Sequence, residues 1–361
     1  MNKWIWSLAC VFLVTVPGTM ALADNDHLEK KILELEERQA ELYHSLKEKK
    51  SAGLMEKATD KISIGGVVEV EAGYEDNNEV NEKTSDIVLA TVEIGIDAEI
   101  NDKMKGHILL LWEEDDTPLD IDEGTITLTA PYGLSLTAGK MYVPFGTFNS
   151  HFISDPFTLE LGETNESGLL VSYGKEIFEV SLGVFNGAVR KAGKDDKVDD
   201  IVASVTVNPA EGISFGASYI SDISESDGDI TGAAGGAGTL TDIVAGYSAF
   251  FSGSFGPIAV EGEYLAAANG FKVADVDING DGKEDEPSAY NVEIAFAVSD
   301  ATEVAARYEG SDDLDMPEKQ YGVAGSYGLY ENTSLALEYM NGEYKSGKKR
   351  DLLTAQLAVE F

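Results

Sequence analysis

The chain has 361 residues and a formal net charge of −39, from 65 acidic against 26 basic side chains. So large a negative excess repels a polyphosphate backbone, which excludes nucleic-acid binding. Fifteen Tyr and fourteen Phe are spread along the chain, so it is not an acidic disordered polymer either.

Residues 1–23 read as a secretory signal peptide: Lys3, an apolar run over 4–16, Pro17-Gly18, then the small-residue site Ala21-Leu22-Ala23. The apolar run is too short to cross a bilayer. The mature chain is expected to start at Asp24. Cys10, the single cysteine, falls within the signal, and Ser7 stands where a lipobox needs Leu. An exported chain without disulfides or cysteine metal sites is therefore expected.

Residues 24–58 carry heptads, with Leu28, Leu35 and Leu42 at one core position and Ile32, Gln39 and Leu46 at the other. The pattern fits a lone amphipathic helix or a short periplasmic coiled coil that joins barrels, as in a homotrimer. Residues 52–60 form a linker.

From residue 61 to 361 the pattern changes to period two, the repeat of a strand with two unlike faces. Sixteen such segments are read: 62–74, 86–100, 105–114, 121–130, 134–143, 166–173, 176–185, 200–208, 213–221, 240–251, 257–267, 288–298, 302–310, 319–328, 333–342 and 351–361. Tight turns, such as Pro131-Tyr132-Gly133, alternate with longer connections near 75–85, 115–120, 144–165, 186–199, 222–239, 268–287, 311–318 and 343–350. No run after the signal is apolar enough for a spanning helix. A membrane chain of this kind must close into a barrel, with turns at one rim and loops at the other. The predicted fold is an all-β transmembrane antiparallel barrel of about sixteen strands in the bacterial outer membrane.

The last strand supports this. Leu353, Ala355, Leu357, Val359 and Phe361 share one face, so a terminal aromatic points to lipid. In the second strand Val88, Ala90, Val92, Ile94, Ile96, Ala98 and Ile100 are assigned to lipid, and Glu93, Asp97 and Glu99 to the lumen. Glu69 and Glu71 face inward from the first strand, and Glu179, Glu261, Glu263, Glu293, Glu303, Glu309, Glu338 and Glu360 from later ones. Arg307 is the one clear inward base among these strands. Tyr264, Tyr290, Tyr308, Tyr327 and Tyr339 fall on outward phases, as in an aromatic girdle. Sixteen strands leave a water-filled channel. Solvated, ionised carboxylates lining it predict a preference for cations.

The connection over 144–165 holds too much apolar surface to sit in water: Phe145, Phe148, Phe152 and Phe157, with Asp155, Glu160 and Glu163 among them. It is the third long loop, and it is expected to fold into the lumen and form the constriction, with its phenylalanines on the barrel wall. Packing on the rim or a neighbouring subunit is the alternative. The run Gly139-Lys140, Val143-Pro144-Phe145-Gly146 and Ser154-Asp155-Pro156-Phe157-Thr158-Leu159-Glu160-Leu161-Gly162-Glu163-Thr164 to Glu166 resembles the LbtU-type siderophore porin family. That resemblance covers the chain from end to end and implies a plugless sixteen-stranded porin for ferric siderophores.

A second loop matches the twelve-residue calcium pattern, with Asp275, Asp277, Asn279, Asp281 and Glu286 as oxygen ligands and Gly280 at the turn. Strands flank it rather than helices. A structural Ca²⁺ in the extracellular loop and an unliganded acidic loop are the two readings. No enzyme is expected: Ser150, His151 and Asp155 are too close in sequence to stack as a relay. The sequence thus predicts a passive outer-membrane porin in contact with lipid, small solutes or chelates, with siderophore uptake as the implied role. A general cation-preferring porin and an outer-membrane to cell-wall tether are the alternatives.

Overall fold

A computed structural model describes residues 61–361, except 115–116, 196, 227–229 and 231–238. The expected signal peptide, helical segment and linker lie outside the described residues. In order the strands are β1 (Ile62–Asn77), β2 (Glu82–Asn101), β3 (Met104–Trp112), β4 (Asp120–Ala130), β5 (Leu134–Tyr142) and β6 (Asn165–Lys175). Next come β7 (Phe178–Phe185), β8 (Arg190–Lys191), β9 (Asp200–Ala210), β10 (Ile213–Ile220), β11 (Thr239–Leu240) and β12 (Gly246–Phe255). The last are β13 (Ile258–Ala267), β14 (Ser288–Ser299), β15 (Thr302–Asp312), β16 (Lys319–Tyr330), β17 (Thr333–Glu343) and β18 (Lys349–Glu360). One short helix, α1 (Phe157–Gly162), interrupts the third long loop.

All but β8 and β11 form one closed antiparallel barrel of sixteen strands, in which each strand pairs with its chain neighbours and β18 closes onto β1. Closure leaves no edge whose backbone groups would need water. Where the chain must reverse in two or three residues, Tyr132, Gly212, Gly256 and Asn332 take up positive φ. The other rim carries the longer connections, except between β1 and β2.

Register fixes the faces. Ile64, Ile294, Leu337, Val323 and Phe361 are exposed on the outside, because nothing but lipid covers an outward side chain. A row of tyrosines crosses neighbouring strands near the long-loop rim. Tyr219 pairs with Tyr247, Tyr264 with Tyr290, and Tyr308 with Tyr321. Ring centroids of Tyr247 and Tyr264 lie 6.2 Å apart, and those of Tyr290 and Tyr308 5.7 Å apart. Rings that are apolar in body and polar at the tip suit a headgroup boundary.

Three expectations need correction. β1 and β2 run on to Asn77 and Glu82, so the first long loop is a tight turn. The tenth barrel strand begins at Gly246 rather than 240, and Thr239–Leu240 instead pairs in parallel with Arg190–Lys191. The third concerns the phase of β2. Glu69 pairs with Thr91 but Val70 with Leu89, so Ala90 is an extra residue at a bulge. Past it the phase inverts: Val88 sits beside Glu71 on the lumen face, and Ile87 and Leu89 turn to lipid.

The barrel interior is wet, so the buried apolar cluster forms at the long-loop end instead. There Phe145, Phe157, Leu161, Phe185, Ile220, Ile223, Leu265 and Phe271 pack together from three long connections and three strand ends.

Candidate functional site

The third long loop, 143–164, turns inward as soon as β5 ends. Phe145 is buried in the mouth cluster and fixes the base of the loop. Gly146 follows at φ +84°, and the Phe148 ring lies against it so closely that a Cβ would meet the ring at 2.3 Å. Only glycine allows this bend under that ring.

Beyond the bend, the loop lies along the inner faces of β13 to β17, held by glutamates that accept its backbone amides. Thr147 and Phe148 N–H donate to Glu263 at 3.0 and 2.9 Å. His151 N–H donates to Glu293 at 2.7 Å, and Phe157 N–H to Glu309 at 3.0 Å. Ile153 and Ser154 N–H donate to one oxygen of Glu338, at 2.8 and 3.1 Å, and the Ser154 hydroxyl to the other. Asn149 Nδ2 donates to Glu261 at 3.2 Å, and His151 Nδ1 lies 2.9 Å from Glu303. A loop without regular structure leaves amide donors unpaired, and inward carboxylates at every second strand residue satisfy them.

Arg307 is the counter-charge of this assembly. Its Nε donates to Glu293 at 2.7 Å, and Nη1 lies 3.5 Å from Glu309. The same guanidinium donates to the Ser154 and Asp155 carbonyls at 2.8 and 3.2 Å and to the Ser150 hydroxyl, and it lies 4.4 Å from the Phe152 ring centroid. All three charged side chains are fully buried. A buried carboxylate pair is tolerable when one planar cation bridges both members and spends its remaining N–H groups on the loop.

The predicted site residues therefore fall into separate groups. Phe145 and Phe157 are buried, Phe148 packs against the same cluster, and Phe152 covers Arg307. Asp155 is exposed to lumen water; Glu160 is exposed on α1, and Glu163 is half-buried at its end. Of the lumen carboxylates, Glu69, Glu71 and Glu93 are half-buried and Asp97 and Glu99 exposed, on the inner face of β1 and β2. Glu261, Glu263 and Glu293 correct the expectation of solvated lining: they are 9%, 7% and 1% exposed beneath the loop. Arg307, expected as an inward base, is likewise removed from the open lumen. The result is a lumen with two unlike walls. One is the loop; the other is an acidic ladder along β1 and β2, where Gln356 donates to Glu71 at 2.8 Å and His107 Nδ1 lies 2.8 Å from Asp97.

The neighbours Ser150, His151 and Asp155 do not form a relay, since Ser150 meets Arg307 and His151 meets Glu303. In the 275–286 loop the side chains of Asp275, Asp277, Asn279 and Asp281 have protein partners, and Glu286 is held through its backbone. Asp275 accepts from the Thr241 hydroxyl at 2.5 Å, Asp277 from Gly282 N–H, and Asp281 pairs with Lys283 at 2.5 Å. Asn279 donates to Asp285 at 2.8 Å, and Glu286 N–H donates to Asp313 at 3.2 Å.

Sequence reasoning missed the loop-holding role of Glu309 and Glu338, although a signal was present. Inward positions of β13, β14, β15 and β17 carry glutamates, whereas those of β9, β10 and β12 carry Ser204, Thr206, Ser214, Ser218, Ser248 and Ser252. Carboxylates crowd the wall against which the loop rests.

Known proteins agree with this architecture. The profile of the Gram-negative porin family matches residues 50–347. A UPF0422 protein of Coxiella burnetii is 25% identical over 214 residues, covering 56% of this chain and 46% of that protein. One from Legionella pneumophila (strain Philadelphia 1) is 22% identical over 357 residues, covering 83% and 66%. The chain thus spans about half to two thirds of the length of these curated relatives. Among solved structures, the outer-membrane channel DcaP of Acinetobacter baumannii superposes with a TM-score of 0.61 at 15% identity, covering 83% of this chain and 97% of that one. An anion-selective porin from Comamonas acidovorans gives 0.61 at 13%, covering 83% and 99%. OmpT of Vibrio cholerae, in a trimer form, gives 0.58 at 15%, with the same coverage of 83% and 99%. The chain belongs to the Gram-negative porin family and is a β-barrel of the bacterial outer membrane.

Proposed function

We propose that this porin is a passive diffusion channel that prefers cations, with its constriction between the 143–164 loop and the acidic ladder of β1 and β2. The carrying observation is the division of the carboxylates. Glu261, Glu263, Glu293, Glu309 and Glu338 are consumed in holding the loop, while Glu69, Glu71, Glu93, Asp97 and Glu99 remain along the open wall. Carboxylates of one sign along a narrow aqueous path raise the local cation concentration.

The solute class follows from the loop motif that resembles the siderophore porins, which makes small metal chelates the favoured cargo. The acidic wall favours neutral or cationic chelates over anionic ones. A general cation-preferring porin uses the same wall without selecting a chelate. Assembly as a homotrimer fits the trimer form in which the Vibrio cholerae neighbour is described. A structural Ca²⁺ in the 275–286 loop would share the carboxylates of Asp275 and Asp281 with their partners Thr241 and Lys283.

Planar-bilayer recording tests this reading. A reversal potential of cation-selective sign across a potassium chloride gradient, with conductance steps in threes, is the expected result. Block by micromolar ferric siderophore supports the chelate class. Anion selectivity refutes the assignment of the open wall, and the absence of any conductance refutes the channel.

A further inference from the structure

Away from the lumen, at the long-loop rim, three carboxylates converge that neither the barrel nor the channel explains. Asp200 opens β9. Asp222 caps, and Glu225 ends, the single helical turn that follows β10. One ligand oxygen from each lies within 4.8 Å of the others, and among the described residues this is the one such group of three. Oxygen ligands on an ion with bonds of about 2.3–2.6 Å are separated by at most about 5 Å, so the spacing suits calcium.

Asp222 gives the second indication. It is 1% exposed, and its Oδ1 accepts from the Ser224 amide at 2.9 Å and from the Ser224 hydroxyl. Its Oδ2 is buried with no hydrogen-bond partner among the described residues. A buried carboxylate oxygen left without a donor costs free energy unless something not yet counted occupies it.

The 186–199 loop closes over the same point. Gly187 N–H donates to Asp200 at 3.3 Å, and Ala188 and Val189 N–H donate to Glu225 at 2.7 and 2.9 Å. A Cβ on Gly187 would lie 2.0 Å from the Glu225 carboxyl, so only glycine lets the loop approach. These amides and the Ser221 and Ser224 groups use about half of the acceptor positions that three carboxylates offer, at about four each. Burial pushes Asp222 up to about 6 and Glu225 up to about 8, with hydrogen bonds as the opposing influence. A cavity of about 320 Å³ opens beside the cluster; four basic residues, Arg190, Lys191, Lys194 and Lys197, are among its lining, of which Lys191 is engaged by Asp242 and Lys197 by Asp195.

We propose that Asp200, Asp222 and Glu225 form a Ca²⁺ site that ties the 186–199 loop to the turn after β10. The donor set is oxygen alone, which selects a hard ion over zinc or copper. Part of the coordination shell is left to water from the cavity.

The test is calorimetric titration of CaCl₂ into the full-length, chelator-treated barrel in detergent at pH 7.5, with heat-dependent gel migration as the check of folding. Binding at micromolar to millimolar calcium is expected, weakened at least tenfold by D222N and by E225Q. D200N is the variant that keeps the buried contacts of Asp222 and Glu225 and is expected to act in the same direction. D281N, in the 275–286 loop, is expected to leave this binding intact. Calcium is also expected to slow proteolysis within 190–199 in the wild type but not in D222N. Absence of binding to the folded wild type, unchanged binding in folded D200N and D222N, or loss in D281N alone overturns the proposal.

Discussion

Glu338 is the place where the loop's hold on the wall can be measured. It accepts Ile153 N–H, Ser154 N–H and the Ser154 hydroxyl, and it is 1% exposed. Hydrogen bonds to a charged group contribute about 1.5–3 kcal/mol each. In a wet lumen water replaces part of each one, so E338A is expected to weaken the anchoring of residues 153–155 by roughly 2–3 kcal/mol in total. At about 1.4 kcal/mol per tenfold, local detachment becomes roughly 30- to 150-fold more frequent. Glu263, Glu293 and Glu309 still hold the flanks, so the barrel and most of the loop should persist. In single-channel recordings the variant should show larger open-channel noise and a higher mean conductance. E338Q retains acceptor oxygen without charge and should fall between the two. Traces of folded E338A indistinguishable from wild type in both conductance and noise would refute the idea that this carboxylate anchors the loop.

Three further outcomes are expected. R307M leaves Glu293 and Glu309 buried together without their cation, a loss of about 3–5 kcal/mol that should appear as a lower unfolding temperature and a mobile loop; an unchanged Tm counts against the bridge. Combined E69Q, E71Q and E93Q removes charge from the open wall and should move the reversal potential towards zero, whereas neutralising buried Glu261 should move it far less. Asp155 touches water, but the water of an enclosed lumen. Loss of hydration pushes its carboxyl above the usual aspartate range, against the pull of Arg307 and with Glu113 and Glu338 adding to the rise. Its charge, and its share of cation preference, is present above that raised value and disappears as pH falls through it. D155N should therefore remove one step from the loss of cation preference on acidification, and an identical pH profile in D155N refutes the assignment.

The barrel was legible because its constraint is repetitive. A lipid face must be apolar at every second residue of every strand, and alternation over 353–361 or 92–100 survives any error in a boundary. The alternation failed at Ala90, because a bulge adds a residue without leaving a compositional mark, and Val88 is as apolar as the residue a lipid-facing position would hold. The inward loop was legible from Phe145, Phe148 and Phe157, which have to be covered. The fate of Glu261, Glu263 and Glu293 was not, since a carboxylate bathed by water and one that accepts a loop amide occupy the same strand phase. The calcium-like pattern at 275–286 and the trio at Asp200, Asp222 and Glu225 show the reverse problem. A local motif is readable in one dimension, whereas the trio joins a strand start to a turn some twenty residues away through a fold the sequence does not spell out.

The bulge at Ala90 bears on how such a pore can change. Between Glu82 and Leu89 the side chains that meet solute and those that meet lipid are set by one extra residue, not by the residues themselves. Substitution alters a lumen one position at a time. Ironing out the bulge with Ala90 kept, so that Ala90 pairs with Val70, would exchange the two faces of the whole segment at once, sending Val88 to the bilayer and bringing Ile87 and Leu89 into the water path, whereas deleting Ala90 leaves Leu89 opposite Val70 and both faces as they are. A one-residue slip in register there is thus a larger step in pore chemistry than several point mutations, and the apolar residues already present on both faces of 87–89 are what would let the barrel survive it.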